Sequence, residues 1–488
     1  MKLLYKPRQY WLIGPVLLTT LYLPSAVAEV KLNGFASIRG TSVSSDGGLP
    51  PYPGYEEGEL SFKTESLFAK AYSEGINAFF GTSGQALSPE FQILGINPRD
   101  DAAAGRYWEP VDSVAWSIMM ALDLGGNWGN EFARLSVAGT PDPKAGVRPD
   151  PVYGDQFNNA AIQGVKPEGR VTLRYDTVKG KFADGTPFAL QKPVYGFADL
   201  GYGPMYPDVM LSPRIAPQII GVGLLEAIAE ADILANAADQ AAAAGPIKGT
   251  PNQVWDAPSG RMMLGRFGWK ANVATIAHQT GGAFVGDMGI TSRHFAQEAC
   301  TSAQKDCLAA PSGQSGGEQG QPGVEIDDKT LADVIFYQAT LAPPARRSIN
   351  DAQVVRGQAL FAQAQCATCH RPSYVTQSGP FPHLTSKALS GQRIWPYTDL
   401  LLHDMGERLA DGRPDFGANG RQWKTPPLWG TGLIKDVNGH TRLLHDGRAR
   451  GVLEAVLWHG GEAEAAKDQV LKMKKADRDA LVKFVESL

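Results

Sequence analysis

The sequence predicts a mainly α-helical fold with some β structure, and three observations carry that prediction. Residues 224–244 read "LLEAIAEADILANAADQAAAA", a run of strong helix formers. Gly357, Leu360, Phe361 and Ala364 recur at i, i+3, i+4 and i+7, and Leu481, Phe484, Val485 and Leu488 repeat that pattern at the end of the chain. Against these helices, "GRVTLRYDTV" alternates Val171, Leu173 and Tyr175 in the manner of a half-buried strand.

Taken in order, the chain opens with "MKLLYKPRQYWLIGPVLLTTLYLPSAVAEV". Lys2, Lys6 and Arg8 precede an apolar stretch from Tyr10 to Leu23, and Ala26-Val27-Ala28 offers small residues for cleavage. This grammar predicts a signal peptide over residues 1–28. The apolar run falls short of the ~20 residues of a spanning helix and contains Pro15, so the cleaved protein is expected to be exported, to a compartment where disulfides persist, and not to span the membrane. Residues 29–150 follow with a strand around Leu32 to Ile38, then turn-rich sequence without a chemical motif. A Pro/Gly/Asp connector, "GTPDPKAGVRPDPVYGDQ", introduces residues 151–345, which hold the strand and the helical run above. The glycine-rich "APSGQSGGEQGQPGVE" precedes a last block, residues 346–488. There Asn350 and Gln353 suggest a capping box, and a glycine on this first helix permits close approach of an aromatic such as Phe484 on the last.

Charge excludes one class of partner. With 46 basic and 50 acidic residues the formal charge is -4, and nothing suggests nucleic acid. Cysteine usage is more informative. Four cysteines in 488 residues cannot be a disulfide scaffold, so each pair needs its own reading. Cys300 and Cys307, in "ACTSAQKDCLAAP", enclose six residues, and in an oxidising compartment they predict a local disulfide.

The other pair lies in "QAQCATCHRPS". Cys366 and Cys369 fall at i and i+3 with His370 directly after. That spacing lets two thiols add to the two vinyl groups of one haem while the imidazole reaches the iron from the same side. A structural zinc site needs two further ligands, and no second pair follows. A thioredoxin-like dithiol opens a helix after a strand, whereas this pair closes one. One covalent haem c is therefore the expected cofactor.

The sixth iron ligand has two candidates in "PYTDLLLHDMGERLADG". Met405 is the first, since a thioether there makes a His/Met site of raised potential. His403 is the alternative, and an open iron the third possibility. His459 shares a helical face with Val452, Ala455 and Val456, which suits a core histidine better than a ligand. His445 reads first as part of a turn. Arg448, Arg442 and Lys424 each suit either a carboxylate partner or a haem propionate.

Several segments echo one another, among them "APQIIGVGL" and "TPPLWGTGL", which suggests duplicated domains. The stretches "DPVYGDQ", "YPDVMLSPRIAPQIIGVGLLEAI", "RFGWKAN", "CATCHRP", "PYTDLLLHDMGERLADGRPDF", "WKTPPLWGTGL" and "LHDGRARGVLEAVLWHGGEAE" resemble the di-haem oxidoreductase family, related to bacterial cytochrome c peroxidases. The resemblance covers about residues 151–488. It implies a periplasmic oxidoreductase of two cytochrome c-like domains, each with a covalent haem. This chain departs from that pattern, because it has no cysteine before Cys300 and so no first C-x-x-C-H. Residues 151–345 are then a degenerate first domain with some β structure, and residues 346–488 the haem domain. Filled at both axial positions, a single haem relays electrons and gives peroxide no place to bind. The expected function is electron transfer by an exported c-type haem protein with an unidentified redox partner protein. A haem peroxidase and a non-catalytic periplasmic binding component are the alternatives.

Overall fold

Alternating apolar residues build the longest strands, and their partners determine how the rest of the chain is arranged. The computed structural model describes residues 29–32, 36–39, 77, 134–137, 148–310, 313, 323–377 and 389–488. The signal peptide expected over residues 1–28 lies outside the described residues, as does most of 29–150. The chain divides into two compact units. One comprises residues 1–51, 55–126 and 433–440, and in it β1 (Glu29–Leu32) pairs antiparallel with β2 (Ala36–Arg39). The other comprises residues 52–54, 127–432 and 441–488 and holds everything that follows.

In this second unit β3 (Arg134–Val137), β4 (Arg148–Pro149), β5 (Arg170–Lys181), β6 (Pro187–Ala198) and β7 (Val209–Ser212) come first. Strand β3 lies between β4 and β7, while β5 and β6 form a hairpin registered from Arg170 opposite Ala198 to Lys181 opposite Pro187. The helix-forming run gives two helices, α1 (Val222–Glu226) and α2 (Glu230–Ala242), broken where Ala229 turns extended. Hairpin β8 (Gln253–Asp256) and β9 (Arg261–Leu264) precedes α3 (Ile276–Met288), α4 (Lys305–Ala309) and α5 (Asp328–Thr340). Helix α6 (Ala352–Gln363) is capped by Asp351, whose carboxylate accepts from the amides of Gln353 and Val354. Asn350, the expected cap, is one residue too early.

The last block then departs from expectation. Among the described residues between His370 and Val452 regular strand is confined to short pairs, β10 (Tyr374–Val375) with β11 (Arg393–Ile394) and β12 (Leu402–Asp404) with β13 (Gln422–Lys424). After one short helix at Ile434–Asn438, which belongs to the first unit, longer helices follow as α7 (Val452–Trp458), α8 (Glu464–Lys472) and α9 (Lys475–Glu486). Of the described residues 33% are helix and 18% strand, so they are mixed α and β and not mainly α, and no cytochrome c-like fold is shown. Prolines explain part of the difference. Pro396, Pro414, Pro426 and Pro427 lack the amide donor and bias their predecessors toward extended conformations, which disfavours helix between Pro396 and Pro427.

Two cores position the site. In one, α6 and α9 cross where Gly357 leaves no room for a side chain, since a Cβ there would lie 2.0 Å from the Ala480 carbonyl oxygen. Around the crossing Val354, Phe361, Tyr397, Leu481, Phe484 and Leu488 are buried, and Cys366 packs on them. In the other, Phe182 and Leu190 of the β5–β6 hairpin region pack with Trp423, Leu457 and Trp458.

Candidate haem site

Helix α6 ends in a way that presents the two thiols together. Gln365 takes a left-handed conformation at φ 63°, and Cys366–Thr368 continue as a 3-10 turn closed by the His370 amide donating to the Cys366 carbonyl, 2.9 Å. Cys366 and Cys369 are both free thiols and both half-buried, while Cys300 and Cys307 are joined as a disulfide with Cα atoms 5.8 Å apart. Burial pushes the Cys366 thiol up to about 11. Burial raises Cys369 too, and a contact with His403 opposes it.

Across the site runs the segment Tyr397–His403. Tyr397 is held at φ 54°, a left-handed conformation unusual for an aromatic residue, and its carbonyl accepts from His370 Nδ1 at 3.0 Å. Burial pulls His370 down to about 4, so its imidazole is neutral. With the proton on Nδ1, the lone pair is on Nε2. This second-sphere arrangement is the one that fixes the ring and tautomer of a metal-binding histidine.

His403 is nearby but already engaged. Its Nε2 meets Asp399 Oδ2 at 2.9 Å and its Nδ1 meets Glu462 Oε2 at 2.7 Å, with Cys369 Sγ 3.7 Å from the same nitrogen. Burial opposes the charge on His403, but the bonds to Asp399, Cys369 and Glu462 outweigh it and push the group up to about 12. Gln240 ties this cluster to the cysteine turn, donating to Asp399 at 2.8 Å and to the Thr368 carbonyl at 3.2 Å. To bind iron, His403 would have to release a carboxylate.

The remaining candidates are distributed more widely. Met405 packs against the core of Trp423 and Trp458, whereas Cys366 packs against the core of Phe361 and Tyr397. His459 donates from Nδ1 to the Ala455 carbonyl at 2.6 Å, and burial lowers its pKa. His445 lies in a turn, as its sequence suggested. It is buried and stacked on Trp423, centroids 3.7 Å apart, and burial pulls it down to about 4. Trp423 is also covered by the Lys270 ammonium, 4.5 Å from the ring, and Lys270 pairs with Asp411 at 2.8 Å.

Sequence reasoning missed Asp399, Glu462, Gln240 and Tyr397. Glu462 and Gln240 carry no local signal, being 59 and 163 residues from His403, and Tyr397 acts through its backbone. Asp399 had a faint one, four residues before His403.

These residues fit a covalently attached haem. Two free thiols flank a single turn, the adjoining imidazole is neutral with Nε2 unprotonated, and apolar walls stand beside Cys366. No curated protein and no solved structure matches the chain. A penicillin amidase family model matches residues 56–192, under a third of the sequence and mostly outside the described residues. A second family model, described as "Di-haem oxidoreductase, putative peroxidase", matches residues 155–488, which includes every residue of the site. On that match over two thirds of its length the chain belongs to the di-haem oxidoreductase family, whose name implies haem and an oxidoreductase-type function.

Proposed function

We propose that the protein is an exported, periplasmic c-type haem protein that transfers electrons, with one haem held by thioethers to Cys366 and Cys369. The single observation that carries this reading is His370 Nδ1 bound to the Tyr397 carbonyl at 3.0 Å beside two free thiols. A haem, when bound, supplies one-electron redox chemistry. His370 offers Nε2 as proximal iron ligand, and Phe361, 6.2 Å from its ring, helps to exclude water from that side. Asp399, His403 and Glu462 form a charged cluster beside Cys369 that holds the cysteine turn in place through Gln240. Met405 is the proposed distal ligand.

A second reading has one observation in its favour. Met405 packs on a different core from Cys366, which suits a peroxidase whose iron keeps an open position. After expression with a cytochrome c maturation system, haem should resist acid-acetone extraction, and carbon monoxide should bind poorly to the reduced protein. Extractable or absent haem refutes the attachment. Ready carbon monoxide binding together with peroxide turnover, both unchanged in Met405→Ala, replaces electron transfer by the peroxidase.

A further inference from the structure

Lys424 stands apart from the other cations near the site. Arg448 is paired with Asp446 at 2.7 Å, Arg442 donates to Gln191 at 2.8 Å, Arg371 donates to Asn236, and Lys270 binds Asp411 and two backbone carbonyls. Lys424 is 7% exposed, yet among the described residues its ammonium has neither a hydrogen-bond acceptor nor an ion-pair partner. Its stem is buried while Nζ itself is not sealed from solvent, so the ammonium opens onto space in which an anion can complete it.

Its place in the fold shows where that anion belongs. Strand β13 sets Lys424 opposite Leu402, the Thr425 amide donates to the Leu401 carbonyl, and Thr398 Oγ1 donates to the Thr425 carbonyl at 2.6 Å. Lys424 is therefore fastened along the segment that carries the Tyr397 carbonyl and His403. Asp399 favours its charge, but Asp399 is already bonded to His403 and Gln240. Burial pulls the ammonium down to about 8, which leaves it mostly protonated near neutral pH.

We propose that Lys424 is the carboxylate-binding cation of this site and receives a haem propionate. The assignment rests on the reading above that haem is attached at Cys366 and Cys369. No bond is made or broken, and the interaction is a charge-assisted hydrogen bond.

The test compares the haem-bearing wild type with Lys424→Met and Lys424→Arg. Methionine fills the space without charge, and Lys424→Gln serves if that variant misfolds. Three quantities are read: covalent haem content, the reduction potential, and the propionate bending modes in the resonance Raman spectrum. Loss of the cation should shift the potential to more negative values, because the oxidised iron loses a destabilising charge, and should shift a propionate mode. Lys424→Arg should keep both near the wild type. A neutral variant with full haem content and unchanged potential and propionate modes overturns the assignment of Lys424 alone. A response to added acetate in the wild type that Lys424→Met abolishes, with propionate modes unchanged, also overturns it, since the cation then serves a free carboxylate. A wild type without covalent haem overturns this proposal and the preceding reading together.

Discussion

His403 shows how one buried side chain organises its surroundings. It separates Asp399, which is fully buried, from Glu462, and both carboxylates rely on its charge. Its raised pKa means that its contribution to stability is complete below the unfolded value near ~6.5 and is lost as pH rises toward the folded one. His403→Leu removes the charge and leaves two acids in an apolar setting, a change expected to cost about 3–5 kcal/mol. Denaturant unfolding near pH 6 measures it, and a loss below ~1 kcal/mol would show that water reaches the carboxylates.

At the scale of elements, contacts between helices are decided by single positions. Gly357 lets α6 and α9 approach until backbone meets backbone, with Phe484 across the crossing, as the glycine in the sequence suggested. Glu226 plays a different part. At the end of α1 its Oε1 accepts from the Ile276 amide at the start of α3, while its Oε2 is buried without a partner. Burial pushes it up to about 7, with the Ile276 bond and Arg266 opposing. A carboxyl raised on folding binds its proton more tightly in the native state. Stability from this group therefore falls as pH rises from ~4.5 to ~7 and is level outside that window. Glu226→Gln should match the wild type below ~4.5 and exceed it above ~7 by up to about 3 kcal/mol. Urea titrations at the two ends of the range measure the difference, and an equal ΔG at both would place Glu226 in water.

On the scale of the whole molecule, residues 151–345 and 346–488 share ion pairs, two of them buried on both sides and one with the half-exposed Asp155. Lys270 pairs with Asp411, Arg214 with Asp415 at 3.0 Å, and Arg413 with Asp155 at 3.0 Å. Thr250 bridges to Leu402, Trp429 fills the space beside Gly221, and the β5–β6 hairpin region contributes Phe182 and Leu190 to the core of Trp458. Removing the first segment exposes Asp411, Asp415 and that core at once. A chain of residues 346–488 alone is expected to show no cooperative thermal transition, whereas residues 148–488 should unfold in one. Circular dichroism checks it, and a cooperative transition in the shorter chain would mean that the shared charges are dispensable.

What the sequence determined by itself was local. Two thiols and an imidazole within five residues specify their own geometry, because a single turn holds them. The periodicity of Leu481, Phe484, Val485 and Leu488 likewise required one buried face, and all four are buried. The mainly helical expectation failed because periodicity speaks only for segments that have it, and the proline-rich stretch after His370 has none. Tertiary structure alone decided that Tyr397 orients His370 through a carbonyl, and that Asp399 and Glu462 occupy both nitrogens of His403. It also decided that Arg448 and Arg442 have partners while Lys424 has none among the described residues. The reason is physical: burial and pairing are properties of neighbours, and these neighbours come from segments far apart in the chain.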